Sequence, residues 1–242
     1  MWERVMEAKH IFYFAPHQDD ELTNLGVPIC KDLSAGRDVH VVLCTDGSAS
    51  SVTRMLKDGG CCLWHEGEHR FDLNITEFVA ARDAEFRASC EMLGIKAENV
   101  HISTLRAKDG KLTTENATDI ILDAISGYEK ESVVIKAIDP ETEKYQNPDH
   151  TAVGKAAKAV KDSERASDAV FYYEFIHLPE EKDTRRFIYI EPTKEEKEKI
   201  KKAADSYRFW APERGRYAVG YHSVADEFND FLLHTLAAVL RK

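Results

Sequence analysis

Apolar runs that alternate with helix-period segments restrict the fold of this sequence more than any other feature. Six short runs rich in apolar residues are predicted strands: 11–15, 39–44, 99–103, 132–138, 169–176 and 187–190. The first two are continuous apolar runs, as expected of parallel strands that are buried on both faces. Such strands need helices on both sides of the sheet to cover them.

The segments between the strands repeat their apolar residues at helical spacing. They span residues 22–35, 77–93, 117–128, 152–160, 194–207 and 226–240. We predict that the last is a closing helix with Asp226 as its N-cap. The alternation predicts one α/β domain over residues 1–242, a Rossmann-like three-layer fold with a mostly parallel sheet.

Composition excludes several classes of partner. The 242 residues carry a formal net charge of −10, whereas a nucleic-acid binder needs a basic face, and an anionic membrane would also repel the chain. Residues 1–10 lack the apolar run of a signal peptide, and no stretch reaches the roughly 20 apolar residues of a membrane span. The cysteines are odd in number and scattered, which predicts reduced thiols and a cytoplasmic protein.

One imidazole and three carboxylates follow the first predicted strand, in residues 17–21. His17 and Asp20 are three residues apart, so at a helix start they project to the same side and offer the mixed donors that suit zinc. Asp19 points elsewhere and could accept a proton from a metal-bound water. The alternative is an acidic helix N-terminus that holds no metal, because the helix dipole favours carboxylates there.

A second polar cluster, Asn147 to His150, follows the fourth predicted strand and opens a helix. The fold would bring it close to the first cluster, since ligands bind at the carboxyl ends of parallel strands. His150 could then supply a third metal ligand, and Asp149 could orient a neighbouring group. Two histidines and one aspartate leave a position open for water, as in catalytic zinc sites. Taken alone, the cluster is explained as a capped helix start.

Four motifs, in order, resemble those of the PIG-L/LmbE-like zinc deacetylases. Residues 15–21 (APHQDDE) resemble the (P/A)H-P-D-D-E signature, and residues 147–150 (NPDH) resemble the later H-P-D-H motif. Between them, residues 45–49 (TDGSA) match a T-D/H-G-x-A turn, and Arg82-x-x-Glu85 with a following Leu-Gly matches an R-x-x-E…LG helix. The resemblance covers about residues 11–160, and residues 161–242 are expected to complete the domain and to shape the substrate site.

The resemblance implies a metal-dependent amidase that removes an N-acetyl or short N-acyl group from an amino-sugar conjugate. It implies that His17, Asp20 and His150 hold Zn²⁺ and that Asp19 is the general base. Asp149, with residue 147, would complete the catalytic group.

Two further residues are candidates for binding the substrate. Arg82 could face the substrate or could form a structural pair with Glu85. Asp46 could contact sugar hydroxyls or tie down a loop.

The sequence departs from the family pattern at Asn147, where the family has histidine. The family histidine stabilises the oxyanion or protonates the leaving group. An asparagine can donate a hydrogen bond to an oxyanion but cannot deliver a proton. The alternative function is therefore a zinc- and sugar-binding protein with weak or no turnover.

The stretch 48–71 is too long for an ordinary loop, and such loops tend to be active-site lids or disordered. His65-Glu66-Gly67-Glu68-His69 within it matches the H-E-x-x-H pattern of metalloproteases, but Gly67 disfavours the helix that this motif needs. A second hypothesis is that His65 or His69 reaches the active site and replaces the function that Asn147 lacks.

Two other activities fit less well. A magnesium-dependent phosphate-ester hydrolase would prefer oxygen ligands over His17 and His150. A dinucleotide-binding protein would need a G-x-G-x-x-G turn after the first strand, and none is present. We therefore predict a small-molecule amino-sugar substrate, no nucleic-acid partner and no membrane span, and leave the oligomeric state open, a homo-oligomer included.

Overall fold

Five parallel strands form the centre of the protein in a computed structural model that describes residues 10–59, 65–66, 69–141, 147–179 and 182–241. The strand order is β3-β2-β1-β4-β5. The strands are β1 (His10–Ala15), β2 (Asp38–Thr45), β3 (Val100–Ala107), β4 (Val133–Ile138) and β5 (Asp168–Tyr172). The chain starts at the centre of the sheet and winds outwards in both directions, as in Rossmann-like folds.

Helices cover both faces of this sheet, which confirms the predicted three-layer α/β class. They are α1 (Asp20–Thr23), α2 (Gly26–Ser34), α3 (Val52–Asp58), α4 (Ile75–Leu93), α5 (Thr114–Ile125), α6 (Pro148–Asp162), α7 (Lys194–Arg208), α8 (Val219–Ser223) and α9 (Ala225–His234). None of the helices in the described part of the chain is long and apolar enough to cross a membrane.

Alternate side chains of β1 enter two different cores. Ile11 and Tyr13 pack into a core formed with α2, α4, α7 and α9, whereas Phe12 and Phe14 pack into a core formed with α5 and α6. All four side chains are at most 1% exposed. A strand that is buried on both faces must be apolar at every position, which explains the continuous run in the sequence.

The prediction of one continuous helix over 22–35 is wrong, because this segment contains parts of two helices. The first turn, α1, ends at Thr23, and α2 begins only at Gly26. Asn24, at the end of this first turn, donates a side-chain hydrogen bond to Asp20 Oδ1 at 2.8 Å. The first turn is thus a separate element that carries the acidic cluster.

The predicted closing helix over 226–240 is also wrong at both ends. The N-cap is Val224 rather than Asp226, and α9 ends at His234. Residues Ala237–Leu240 form a strand, β9, that pairs antiparallel with β6 (Phe187–Ile190). A short Ala- and Leu-containing run has adequate helix propensity, but the free edge of β6 decides its conformation because tertiary context overrides weak propensities.

Two smaller elements complete the C-terminal part. The predicted strand 187–190 is confirmed, but it lies outside the parallel sheet, in the two-stranded pair with β9. The predicted strand 169–176 ends early, at Tyr172, and residues 175–177 form a 3₁₀ turn instead. A third sheet is the short hairpin of β7 (Trp210–Ala211) and β8 (Arg216–Tyr217).

Gly154 lets α6 lie directly on β4. A Cβ at this position would stand 2.6 Å from the carbonyl oxygen of Ile138 and 2.8 Å from Pro140 Cδ. The absence of a side chain therefore allows the close approach that sets the start of α6 beside the carboxyl end of β4.

Candidate metal and active site

The two polar clusters meet at the carboxyl edge of the sheet because β1 and β4 are hydrogen-bonded neighbours. His17 and Asp20 follow β1, and His150 lies in the first turn of α6 after β4. All three side chains are buried. The strand order thus brings together residues that are far apart in the chain, as the sequence analysis predicted for this edge.

Three donor atoms form a triangle of equal sides. His17 Nδ1 lies 3.2 Å from Asp20 Oδ2 and 3.2 Å from His150 Nε2, and His150 Nε2 lies 3.2 Å from Asp20 Oδ2. Ligands at about 2.0–2.1 Å from a tetrahedral zinc ion are about 3.3 Å from one another. Two imidazole nitrogens and one carboxylate oxygen at this spacing fit a divalent ion such as Zn²⁺.

The second nitrogen of each histidine faces a carboxylate. His17 Nε2 lies 3.2 Å from Asp149 Oδ2 and 3.3 Å from Asp109 Oδ1. His150 Nδ1 lies 3.0 Å from Glu174 Oε1. Metal-bound histidines characteristically donate their other N–H to such a group, which fixes the tautomer and makes the ligand more basic. The sequence predicts an orienting role for Asp149 but gives no sign of the contacts of Asp109 and Glu174.

These carboxylates control the protonation of the histidines. Burial lowers the pKa of His150, but Asp20 and Glu174 outweigh burial and raise it to about 9. His17 follows the same pattern: burial opposes protonation, and Asp109, Asp149 and Asp20 raise its pKa well above its usual value. The pKa of Asp20 is lowered, because the two histidines outweigh its burial. The site therefore demands positive charge, which a bound divalent cation would supply in place of protons.

Asn24 holds Asp20 in position. Its amide donates to Asp20 Oδ1 at 2.8 Å, and its own Oδ1 accepts from the backbone N–H of Phe175 at 2.9 Å. The backbone N–H of His17 donates to Asp20 Oδ2 at 2.8 Å. The proposed ligand is thereby tied to the segment after β5 that carries Glu174. No spacing pattern in the sequence had pointed to Asn24.

Asp19 has a strained backbone, with φ at 129°. Its N–H donates to Glu21 Oε2 at 3.0 Å, and its carbonyl accepts from Leu22 N at 2.9 Å. Conformations of this kind persist only where the surroundings enforce them, and they concentrate at functional sites. Burial raises the pKa of Asp19 to about 7, although Arg82 opposes the shift. A carboxyl with that pKa can both accept and release a proton near neutral pH.

Arg82 contacts the backbone on which Asp19 sits. Its guanidinium is buried and donates to the carbonyl oxygens of Gly47 and Gln18, each at 2.9 Å, and lies 3.4 Å from Asp19 Oδ2. Glu85, its alternative partner in the sequence analysis, instead accepts hydrogen bonds from the backbone N–H groups of Val219 and Gly220, at 2.8 and 2.9 Å. Within the protein, the contacts of Arg82 thus fix the loops on either side of the general-base candidate.

Asp46 joins two loops at the same edge. Its Oδ1 accepts from the backbone N–H of Ser48 and of Asp109, each at 3.0 Å. Asp109 in turn faces His17. Asp46 therefore helps to place an orienting carboxylate, and the substrate contact predicted for Asp46 stays a prediction, as does that of Arg82.

Asn147 is the N-cap of α6. Its side-chain oxygen accepts from the backbone N–H of Asp149 at 2.9 Å, and Pro148 occupies the first helical position. Asp149 then accepts from the backbone N–H of Gly110 at 2.7 Å and of Leu112 at 3.1 Å. With its oxygen in the cap, Asn147 has only its amide N–H groups to offer to a substrate.

Two residues of the C-terminal third lie near the acidic residues that follow β1. Tyr207, on α7, donates to Glu21 Oε1 at 2.7 Å, and Glu21 holds the N–H of Asp19. Burial raises the pKa of Glu227, on α9, to about 8, and the nearby charges of Asp19 and Asp20 add to the shift. Neither Tyr207 nor Glu227 carries a local sequence pattern that predicts this placement.

The stretch 48–71 contains α3 (Val52–Asp58). Its described histidines, His65 and His69, are not in a helix. Gly67 and Glu68, which lie between them in the H-E-x-x-H pattern, are outside the described residues, as are Cys61 and Cys62. The rings of His65 and His69 contact each other and those of Trp210 and His222.

Comparison with known proteins identifies a matching family and similar folds. The family model described as PIG-L, GlcNAc-PI de-N-acetylase, matches residues 12–161. No curated protein is significantly similar to the chain in sequence.

Solved structures share the fold at low sequence identity. The N,N'-diacetylchitobiose deacetylase from Pyrococcus horikoshii has a TM-score of 0.64 and 16% identity, with 99% of this chain and 85% of that chain covered. The A40926 pseudoaglycone deacetylase has a TM-score of 0.62 and 15% identity, with 96% and 97% covered. The zinc-inhibited form of a teicoplanin deacetylase has a TM-score of 0.59 and 14% identity, with 96% and 99% covered.

Proposed function

Because the chain belongs to the PIG-L family of GlcNAc-PI de-N-acetylases, we propose that it is a zinc-dependent hydrolase that removes an N-acetyl or short N-acyl group from an amino-sugar conjugate. The observation that carries the proposal is the triangle of donor atoms from His17, Asp20 and His150, with sides of 3.2 Å. Three protein ligands leave room for water and substrate, the arrangement of catalytic rather than structural zinc sites.

When bound, zinc would supply Lewis-acid chemistry, polarising the amide carbonyl and making water a stronger acid. The surrounding residues would hold the ion and move the proton. His17 and His150 act as neutral ligands, and their second nitrogens lie 3.2 Å from Asp149 Oδ2 and 3.0 Å from Glu174 Oε1. Asp20 contributes the single anionic ligand, fixed by Asn24.

Asp19 is the proposed general base. It would take a proton from the attacking water and pass it to the nitrogen of the leaving amine, as the C–N bond of the amide breaks. Its largely buried carboxylate has a pKa of about 7 in the metal-free protein, close to neutral pH, where such an exchange is efficient. The strained backbone and the contacts of Arg82 and Glu21 hold this carboxylate in one orientation.

The substrate class rests on the family and on similar folds. The family model is that of a de-N-acetylase acting on GlcNAc-PI, and one similar structure is a deacetylase of N,N'-diacetylchitobiose. Arg82 and Asp46 are the candidates for contacts to the sugar. A single domain over residues 1–242, a cytoplasmic location and a homo-oligomer stay predictions.

The alternative function is a zinc- and sugar-binding protein with weak or no turnover. Asn147 favours it, because its oxygen is engaged in the helix cap and its amide cannot deliver a proton to the leaving amine. Losing an oxyanion stabiliser costs on the order of a hundredfold in rate or more.

The test is acetate release from N-acetylglucosamine conjugates, measured together with zinc content. We expect about one zinc ion at this site and turnover that falls by about 10²–10⁴-fold in Asp19→Asn, whose zinc content should be unchanged. Asp205→Asn, on the exposed face of α7, is the matched control and should be as active as wild type. Zinc without acetate release would favour the alternative function. A protein that cannot bind zinc after reconstitution would contradict both.

A further inference from the structure

Three histidines outside the proposed active site converge at one point. His65 and His69 lie in the stretch after α3, and His222 lies on α8, more than 150 positions later. Their ring centroids are 5.5, 5.2 and 5.5 Å apart, close to an equilateral triangle. One nitrogen from each ring can be chosen so that all three lie within 4.8 Å of one another.

Backbone carbonyls fix the orientation of two of these rings. His65 Nε2 lies 2.6 Å from the carbonyl oxygen of Arg208, and His222 Nδ1 lies 3.2 Å from that of Tyr217. A carbonyl only accepts, so each of these nitrogens must carry the proton. His65 Nδ1 and His222 Nε2 are then the nitrogens with a lone pair. Histidines that bind metals in proteins are held in their tautomer by the same kind of contact.

Aromatic side chains pack against the histidine cluster. The Trp210 ring stacks on His69, with centroids 3.7 Å apart and planes 13° apart, and meets His222 edge-on at 5.8 Å. Phe71 meets Trp210 edge-on, with ring centroids 5.6 Å apart. His69 is buried, and His65 and His222 are half-buried. The close stacking of Trp210 restricts the His69 ring and gives the cluster an apolar neighbour, as in the apolar shell of a metal site.

We propose that His65, His69 and His222 form a second metal site, which binds Zn²⁺ or a similar divalent transition-metal ion through three neutral imidazoles. The chemical class follows from the donors, because imidazole suits zinc, copper and nickel, whereas magnesium and calcium select oxygen ligands. The site shares no ligand with the triangle at His17. Since tetrahedral ligands are about 3.3 Å apart, small rotations of the rings close them on an ion.

A metal at this position would join His65 and His69 to α8. The latter is anchored in the core because Glu85 accepts hydrogen bonds from the backbone N–H groups of Val219 and Gly220. Ser223, at the end of the same helix, also contacts Ser50 across 3.2 Å, close to the loop that carries Asp46. The ion would thus fix α8, and through Ser223 the residues beside Ser50, rather than take part in the chemistry.

The test counts zinc ions bound by the full chain. Metal is removed with a chelator, and Zn²⁺ alone is titrated at micromolar concentration by calorimetry. We expect His222→Ala to bind one equivalent fewer than wild type, and His65→Ala to do the same. The matched control is His234→Ala, a change of an exposed histidine paired with Asp230, which should bind as many as wild type. His17→Ala should also lose one equivalent, but a different one.

A second readout reports on the cluster directly. Because Trp210 stacks on His69, zinc binding there should change its fluorescence, and the change should vanish in Trp210→Phe and His222→Ala but persist in His17→Ala. Circular dichroism checks that each variant is folded. Equal zinc stoichiometry in wild type and His222→Ala, or a fluorescence response that depends on His17 instead, would overturn the second site. Since the comparison is between variants, it holds even where the proposed active site binds no metal.

Discussion

The guanidinium of Arg82 lies 3.4 Å from the carboxylate of Asp19 and donates at the same time to the backbone oxygens of Gln18 and Gly47. Arg82 therefore stabilises the ionised form of the proposed general base and fixes the position of its backbone. Gly47 takes part in this arrangement, since its φ is +66° and a Cβ there would stand 2.9 Å from Arg82 Cζ. Arg82 is in this sense a positioning residue.

Arg82→Gln removes a positive charge that lowers the pKa of Asp19. The base must be ionised to act, so the acidic limb of the kcat/KM profile should move to higher pH, by about one unit. The profile is measured by acetate release between pH 5 and 9. Arg37→Gln, which removes an arginine paired with Asp32, is the control and should leave the limb in place. An unshifted limb in Arg82→Gln would show that Arg82 does not act through Asp19.

Glu174→Gln should weaken zinc binding without removing a ligand. The carboxylate lies 3.0 Å from His150 Nδ1 and makes that histidine a stronger donor. Loss of such a charged partner costs about 10–100-fold in metal affinity. The zinc affinity is measured by competition with a chromophoric chelator. Both variants carry His222→Ala, so that zinc binds only to His17, Asp20 and His150. Glu191→Gln, on the exposed surface, is the control. Equal affinities of the two variants would contradict the orienting role.

Two substitutions of Asn147 separate its structural role from a catalytic one. Asn147→Asp keeps an oxygen that can cap α6, whereas Asn147→Ala loses the cap and should cost about 1 kcal/mol of unfolding free energy. If the amide N–H stabilises the oxyanion, both variants should lose activity while only the alanine variant loses stability. Thermal unfolding and acetate release are measured on the same samples. Full activity in the aspartate variant would restrict Asn147 to the cap.

The raised pKa of Glu85 predicts that the stability of the protein depends on pH. Burial raises its pKa from 4.5 to about 7, although the N–H groups of Val219 and Gly220 oppose the shift. Its protonated form is thus favoured by folding, so the contribution to stability is complete below pH 4.5 and is lost as the pH rises through 7.

The matching experiment compares Glu85→Gln with wild type in urea unfolding at several pH values. Other groups titrate in both proteins, so their difference isolates Glu85. Wild type should lose about 3 kcal/mol relative to the variant between pH 4.5 and 8, at about 1.4 kcal/mol per pKa unit. A difference that does not change with pH would refute the raised pKa.

The sequence alone could predict the meeting of His17, Asp20 and His150, because it depends on general rules. Apolar runs identify buried parallel strands, and polar residues at the carboxyl ends of such strands lie at one edge. The motifs near residues 17 and 147 then point to the same edge. The structure confirms the sheet and brings the three side chains together.

The partners of these residues could not be predicted, for physical reasons that differ between them. Glu174 follows β5 and would have satisfied the strand-end rule, but the strand was predicted to run to residue 176, which hid it. The hydrogen bond between Tyr207 and Glu21 joins positions 186 apart and leaves no local pattern. The strand β9 forms only because β6 offers a free edge, a circumstance that a window of sequence does not contain.

His17 and His150 are 133 positions apart, yet their donor nitrogens lie 3.2 Å from each other. In an unfolded chain the two histidines are far apart, and bringing them together costs loop-closure entropy that the native state has already met. The donor set is complete only after β1 and β4 have paired. A metal that binds there would bind the native state more tightly than the unfolded chain, so free metal would add to the stability of the fold.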